Sequence, residues 1–299
     1  MSIVVVGSVA YDTLATPYGR RERVLGGSAS YFSLAASFFT PVRVVAVVGD
    51  DFDSADEALL AGKGIDLSGL SRAPGPTFHW TGEYHDDMNT AHTLDTRLGV
   101  FADFAPKLSE AHRGSPFVFL ANIDPKLQGA VLDQMISPRI VAMDTMNYWI
   151  TSALPGLRRT LARVDVLLVN DGEAKLLSGA SNVMTAARRI REMGPRSVCI
   201  KRGEYGVIVF HEAGMFAVPA YPLETVVDPT GAGDSFGGAF LGYLASRGEA
   251  TMDAMRTAAV YGSTVASFAC EDFSVGPLVR LTRADIEERF ELFRELTRF

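Results

Sequence analysis

The residues best suited to chemistry lie together in the segment Asp228-Pro229-Thr230-Gly231-Ala232-Gly233-Asp234. Glycines at a turn that opens a helix let backbone N–H groups converge, and the helix dipole adds positive potential, so the segment predicts an anion site. Asp234 falls in the first helical turn, where a carboxylate can take a proton from a hydroxyl beside that site. The alternative is a tight turn in which Asp234 only stabilises the helix start. We expect Gly233 to need backbone angles open only to glycine.

The same segment resembles the signature of the ribokinase-like (PfkB) carbohydrate kinase family. The resemblance implies that Asp234 is the catalytic base and that the amides of Gly231, Ala232 and Gly233 form an anion hole over the transferred phosphoryl group. It covers nearly the whole chain, because a first-strand Asp, a Gly-Gly pair, an Asn-x-x-Glu element and a glycine turn precede the signature in the family's order.

Candidate substrate residues lie in the first part of the chain. Asp12 follows the apolar run 3–9, at the edge where open α/β sheets bind their ligands. In the family an Asp at this spacing holds substrate hydroxyls, and the alternative is an Asp that caps its own turn. Gly26 and Gly27 resemble the family's substrate-sensing hinge. Tyr31 stands where the family usually carries Asn, which leaves the hydroxyl contacts of this chain open.

A second group of candidates concerns the nucleotide and its metal. Asn170 and Glu173 resemble the element that organises magnesium and phosphate in the family, and they also fit a helix capping box; the two roles are compatible. The resemblance implies ATP and Mg²⁺, and potassium is a further candidate, although the loop at Cys270 matches the family poorly. The resemblance also implies that Asp228 binds the metal. The further residues that it implies for the nucleotide are Lys201, Gly203, Gly206 and Thr230.

Polar residues also follow two other predicted strands. Asn122 and Asp144 each come directly after an apolar run, and contact with substrate or metal and simple strand termination both remain open for them. His79, His85 and His92 lack a fixed short spacing, and we interpret them as exposed strand residues rather than metal ligands.

Composition excludes several classes of function. The chain has 299 residues and a net charge of −7, with no long run of Lys or Arg, so neither nucleic acid nor an anionic membrane is an expected partner. Cys199 and Cys270 lie in apolar surroundings and predict core residues rather than a disulfide or a metal site. The sequence shows no signal peptide or membrane-spanning run, and we expect a cytoplasmic protein.

The elements that position these residues alternate between short apolar runs and helical patterns. This alternation predicts an α/β fold with a doubly wound, mostly parallel sheet and helices on both faces, as in the ribokinase-like fold. The resemblance implies one kinase domain over residues 1–299, with segments 13–25 and 77–100 forming a small β lid. It also suggests a homodimer formed through the lid. We expect a strand at residues 226–227 to lead into the glycine turn, and a helix to run from there to Arg247.

Together these patterns predict an ATP-dependent kinase that moves the γ-phosphoryl group to a hydroxyl, and specifically a hydroxymethyl, of a small sugar. A nucleoside kinase of the same family is the alternative within the enzyme class, because Phe78, Trp80 and Tyr31 are candidates for stacking a base or else for excluding water. A sensor of sugar or nucleotide without catalysis is the alternative from another class. The intact Asp234 and its glycine turn argue against the sensor.

Overall fold

The computed structural model describes residues 1–298. The strands of this part of the chain are β1 (Ile3–Val6), β2 (Ala10–Thr16), β3 (Gly19–Gly26), β4 (Val42–Val48), β5 (Asp66–Arg72), β6 (His79–Tyr84), β7 (Ala91–Arg97), β8 (Phe117–Leu120), β9 (Ile140–Asp144), β10 (Val166–Asn170), β11 (Ser197–Lys201), β12 (Val207–His211) and β13 (Gly214–Val218). The α-helices are α1 (Ser28–Ser37), α2 (Ser54–Gly62), α3 (Glu110–Arg113), α4 (Pro125–Gln134), α5 (Asn147–Ser152), α6 (Leu154–Leu161), α7 (Asp171–Ser178), α8 (Val183–Arg191), α9 (Ala232–Arg247), α10 (Met252–Ala269), α11 (Gly276–Arg280) and α12 (Arg283–Leu296).

Nine strands form the main sheet, in the order β13-β12-β11-β10-β9-β8-β1-β4-β5. The strands from β11 to β5 run parallel, and β12 and β13 join antiparallel at one edge. Alternate residues of the fully buried strand β1 belong to two different cores, Ile3 and Val5 to one and Val4 and Val6 to the other. Helices therefore cover both faces, and the predicted doubly wound, mostly parallel sheet is confirmed.

A separate four-stranded sheet, in the order β3-β2-β6-β7, contains most of the two segments that the sequence assigned to a lid. It begins earlier than predicted, because strand β1 ends at Val6, within the apolar run 3–9, and a new strand starts at Ala10. Asp12 therefore lies within strand β2 of this second sheet, which we call the lid sheet, and not in a loop after the first strand. The prediction for the position of Asp12 was wrong in this respect.

The turn before α9 also differs from the expectation. Residues 226–227 are not a strand: the N–H groups of Val227 and Asp228 both donate to the carbonyl of Cys270, at 2.8 and 3.4 Å. The loop that carries Cys270 thus takes the place of a neighbouring strand. Helix α9 runs to Arg247 and ends at Gly248 in the left-handed conformation, as the sequence predicted. No helix within residues 1–298 combines the length and the apolar character that crossing a membrane requires.

Candidate active site

The first turn of α9 presents unpaired backbone donors. The N–H of Ala232 donates to the carbonyl of Pro229 at 3.1 Å, so the structure removes this amide from the predicted anion hole. Within the described chain the N–H groups of Gly231, Gly233 and Asp234 have no protein acceptor. Free N–H groups at the positive end of a helix attract an anion such as phosphate.

The two glycines of this turn have different functions. Gly231 has a φ of 74°, in the left-handed region, and a Cβ there would overlap the ring of Tyr31. Gly233 lies inside the helix at ordinary angles, so the expectation that it needs glycine-only angles was wrong. Its lack of a side chain leaves space instead, because a Cβ on Gly233 would lie 3.0 Å from Nζ of Lys201.

The Asp234 carboxyl lies in an electrostatic environment that favours its protonated form in the ligand-free protein. Burial and the Asp144 carboxylate together raise its pKa to about 8, although the Lys201 ammonium acts in the opposite direction. A carboxyl with a pKa near neutral pH is well matched to general base catalysis. Such strongly perturbed groups are concentrated at functional sites.

Lys201 and Asp144 form a buried ion pair below the turn, with Nζ 3.0 Å from Oδ2. Burial alone would lower the pKa of Lys201, but the carboxylates of Asp144, Glu173 and Asp234 outweigh it and raise the pKa. Burial and Asp144 also raise the pKa of Glu173. Asp144 is the residue whose role the sequence left open, and the structure brings it into the site.

This arrangement fits a magnesium ion that keeps most of its water. The carboxyl groups of Asp144, Glu173 and Asp234 all act on the single ammonium of Lys201, so a bound cation would offset the negative charge that their ionisation creates. In residues 1–298 no three His, Cys, Asp or Glu side chains are grouped as a metal cage. Mg²⁺ is usually bound through one or two carboxylates together with water and phosphate oxygens, so no such cage is needed. Asn170 and Glu173 form the capping box of α7, with hydrogen bonds of 2.7 and 2.8 Å that fix the Glu173 carboxylate.

Asp228 holds the turn before α9 together. It is fully buried, and its two carboxylate oxygens accept the N–H groups of Thr230 and Ser274, each at 3.0 Å. Each oxygen keeps a further lone pair, so the metal-ligand role that the resemblance implied for Asp228 stays a prediction.

The substrate candidates Asp12, Gly26, Gly27 and Tyr31 lie in β2, at the end of β3 and at the start of α1. A Cβ on Gly26 would overlap the Asp12 carboxylate, so this glycine makes room for the acid. Burial and the nearby Asp228 raise the pKa of Asp12 to about 7. The hydroxyl of Tyr31 is buried and has no hydrogen-bond partner within the described chain, and its ring packs on Gly231. Gly27, in the left-handed region at φ 90°, forms the N-cap of α1.

The β6–β7 hairpin of the lid sheet reaches from Asp12 to the nucleotide turn. The Thr230 hydroxyl donates to the Tyr84 hydroxyl at 3.3 Å, which joins β6 to the turn before α9. At the tip of the hairpin, Asn89 lies directly against Gly203. Gly206 closes the same 203–206 turn at a φ of 79°. Tyr84 was not among the residues predicted from the sequence, where its only signal is a position in a lid strand.

Asn122 follows β8 at the same edge of the main sheet as Asp144. Its side-chain oxygen is buried and has no partner within residues 1–298. The amide of Gln128 donates to the carbonyls of Ala121 and Asp144, at 2.9 and 3.1 Å, and so fixes the ends of β8 and β9 relative to each other. Contact of Asn122 with substrate stays a prediction.

The raised pKa values of Asp12 and Asp234 predict that the ligand-free protein loses stability between pH 7.0 and 8.5. The folded protein binds these protons more tightly than the unfolded chain, so the stability they contribute is complete below about pH 4 and is lost as the pH rises through about 7 and about 8. We expect the free energy of unfolding to decrease by about 1.5–2 kcal/mol over this interval, with a contribution from Glu173, whose pKa is also raised to about 7. Urea unfolding without nucleotide or magnesium would measure it.

The matched variant for this measurement is Asp234→Asn, which should flatten the decrease. His79 and His112 have lowered pKa values, which make the free energy of unfolding rise with pH. This rise occurs mainly at more acidic pH, so it does not mask the decrease expected between pH 7.0 and 8.5. A wild-type stability that rises from pH 7.0 to 8.5 would contradict our interpretation of the buried carboxyls.

Known proteins resemble this chain over most of its length, both in sequence and in fold. Residues 1–279 match the family model described as pfkB family carbohydrate kinase. The chain is 31% identical to a cytidine kinase of Thermococcus kodakarensis, over 86% of this chain and 92% of the relative. It is 27% identical to a nucleoside kinase of Methanothermobacter thermautotrophicus, over 90% and 89%. The fold is similar to that of a nucleoside kinase of Burkholderia thailandensis in complex with inosine, with a TM-score of 0.78, 22% identity and coverage of 97% and 96%.

Proposed function

Since the chain belongs to the pfkB family of carbohydrate kinases, we propose that it phosphorylates a hydroxymethyl hydroxyl on the ribose of a nucleoside. The chain is an ATP-dependent kinase, and its family acts on sugars and on nucleosides. The names of the two relatives, a cytidine kinase and a nucleoside kinase, favour the nucleoside over the free sugar.

The observation that carries this proposal is the position of Asp234 between two kinds of partner. On one side lie the unpaired N–H groups of Gly231 and Gly233, which suit a transferring phosphoryl group. On the other side lies Asp12, close enough for its carboxylate to raise the pKa of Asp234. An ionised Asp12 can accept hydrogen bonds from sugar hydroxyls and so direct a neighbouring hydroxymethyl towards the base.

In the mechanism that follows, Asp234 takes the proton of the attacking hydroxyl as that oxygen bonds to the γ-phosphorus of ATP, the bond to the β–γ bridging oxygen breaks, and ADP leaves. The N–H groups of Gly231 and Gly233, together with the Lys201 ammonium, stabilise the negative charge on that group. Asp144 and Glu173 would hold the magnesium ion, which when bound neutralises phosphate charge. The contact between Tyr84 and Thr230 holds the lid sheet over the cleft and limits the access of water.

The test is an ATP-consumption assay over a panel of nucleosides, free ribose and other sugars, with wild-type protein and Asp12→Ala. We expect turnover with nucleosides, and a KM for the acceptor raised about 10- to 100-fold in Asp12→Ala, because the hydrogen bonds from unreacting hydroxyls are similar in the ground and transition states. The KM for ATP should hardly change.

Two results would overturn the proposed function, and a third would overturn the role of Asp12. If the protein phosphorylates a free sugar but no nucleoside, its substrate is the sugar, as the sequence predicted. Nucleotide binding without turnover on any acceptor would favour a sensor. If Asp12→Ala weakens ATP binding and leaves the acceptor KM unchanged, Asp12 belongs to the nucleotide side of the cleft.

A further inference from the structure

The lid sheet carries a tryptophan beside the proposed sugar-binding carboxylate. In the parallel pairing of β2 with β6, Trp80 is directly opposite Asp12. Directly paired residues project from the same face of a sheet, on strands about 4.7–4.9 Å apart. Trp80 therefore extends from the face that bears Asp12, next to it.

The indole of Trp80 lies flat along this face because Gly82 leaves room for it. A Cβ on Gly82, two residues further along β6 and on the same face, would overlap the six-membered ring of the indole. The indole N–H donates to the hydroxyl of Thr93 at 3.1 Å, and Thr93 is directly opposite Gly82 on β7. The ring is thus held at both ends, and the side chain is only half-buried.

A glycine within a strand weakens the strand, and it often marks a place where another group must approach closely. Here the approaching group is the indole itself, which packs over Gly82 and is held in one orientation by its hydrogen bond to Thr93. The side chain keeps part of its surface accessible, and a flat group can stack on that part. An aromatic ring fixed in this way loses little entropy when it stacks with a ligand.

We propose that Trp80 is the stacking platform for the base of the nucleoside whose ribose is held by Asp12. This inference rests on the proposed function, and it names the residue that makes the site prefer a nucleoside over the free sugar. The base is attached directly to the ribose, so a ribose held at Asp12 places its base over the neighbouring position on the lid sheet. Stacking is tolerant of base identity, because every base has a π-face.

The first test is a binding measurement that does not need catalysis. The chain has two tryptophans, Trp80 and Trp149, so the variant Trp149→Phe leaves Trp80 as the only indole fluorophore. We expect cytidine to quench its fluorescence in a saturable titration, and free ribose at saturating concentration to leave the intensity unchanged. If calorimetry shows that a nucleoside binds but the fluorescence of Trp80 is not quenched, the base does not stack on Trp80 and the proposal is wrong.

The second test is kinetic and uses a nucleoside that the wild-type protein phosphorylates. Trp80→Ala should raise the KM for that nucleoside about 5- to 150-fold, the range found for the loss of one base–aromatic stack, with kcat and the KM for ATP unchanged. Trp80→Phe should restore most of the affinity. Gly82→Ala keeps the tryptophan but displaces the indole, and should act in the same direction as Trp80→Ala. Trp149→Phe is the matched control and should behave as wild type.

The outcomes separate this inference from the proposed function. If the wild-type protein phosphorylates no nucleoside, the proposed function fails whatever the Trp80 variants do. If nucleosides are phosphorylated and Trp80→Ala leaves their KM unchanged, only the platform fails. A decrease in kcat that Trp80→Phe does not rescue would assign Trp80 to lid packing and would also overturn the platform.

Discussion

Replacement of Asp234 by Asn is expected to lower kcat by about 10²–10⁴-fold, the range attributed to a general base. The amide keeps the shape of the side chain but cannot take the proton of the attacking hydroxyl. The N–H groups of the first turn of α9 remain in place, so the KM values for ATP and for the acceptor should change little. Steady-state kinetics at saturating concentrations of both substrates would measure the loss.

The matched control for this variant is Asp253→Asn. Asp253 is also an acid in the first turn of a helix, α10, but its side chain is 97% exposed. We expect its variant to turn over at the wild-type rate, which separates the loss of a base from the loss of a helix-terminal charge. If Asp234→Asn retained near-wild-type turnover, another group would have to accept the proton, and our mechanism would be wrong.

Asp234 also shows why a functional residue can reduce stability. Its carboxyl is held where burial and the neighbouring Asp144 oppose ionisation, although ionisation is the state that catalysis needs. The Asn variant removes that conflict, so the less active protein should be the more stable one at pH 8.5. Such a trade between stability and activity is common at active sites.

The parts of this fold that the sequence predicted well depend on local signals. The apolar strands next to the site are recognisable because both faces are buried, as for Val166–Asn170 and Ser197–Lys201. The end of α9 at Gly248 follows from the preference of the left-handed conformation for glycine. Asn170 and Glu173 form their capping box three residues apart, within one turn.

The parts that could not be predicted depend on contacts between distant residues. Lys201 and Asp144 are 57 positions apart and meet only because β9 and β11 both neighbour β10. The sequence places each residue at the end of a predicted strand. It does not show in which order the strands lie in the sheet, and so it does not show which strand ends are close together. Asp12 was placed in a loop because Gly7-Ser8 gave no sign of a change of sheet. In the structure Ser8 and Ser28 exchange hydrogen bonds that hold the chain at this break.

The edge strand β5 was missed for a further physical reason. The β5 segment Asp66–Arg72 has the sequence DLSGLSR and is exposed at most positions. It pairs with β4 on one side alone, so it needs neither a continuous apolar run nor a strict alternation. Its backbone hydrogen bonds hold it in the sheet, and these leave no pattern in the side chains.

The second large effect is expected for Gly233, where a side chain should block the approach of phosphate without disturbing the fold. Gly233 lies in α9 at ordinary helical angles, so Ala and Val can adopt its conformation. Gly231 is a poorer probe, because its left-handed φ of 74° and its contact with the Tyr31 ring would make any substitution a test of folding.

A Cβ at Gly233 would lie 3.0 Å from Nζ of Lys201, in the space before the unpaired N–H groups. The flexible lysine can move away from one methyl group, so Gly233→Ala should have the smaller effect. The branched side chain of Gly233→Val should displace both the ammonium and the phosphate. We expect a decrease in kcat/KM of about 10²–10³-fold, comparable to the loss of one donor from an oxyanion hole.

The control for Gly233→Ala is Gly237→Ala, one turn further along the same face of α9. There an added Cβ would meet Leu168 and Phe119 at 3.4 Å, an ordinary packing distance, and we expect activity close to that of wild type. Circular dichroism and thermal unfolding should first establish that each variant is folded, since an unfolded protein tests nothing about the turn. A folded Gly233→Val protein with wild-type kcat/KM would show that the phosphoryl group does not pass over this turn. The assignment of the anion hole would then be wrong, and the assignment of Asp234 as the base would lose the position beside that anion hole from which it was argued.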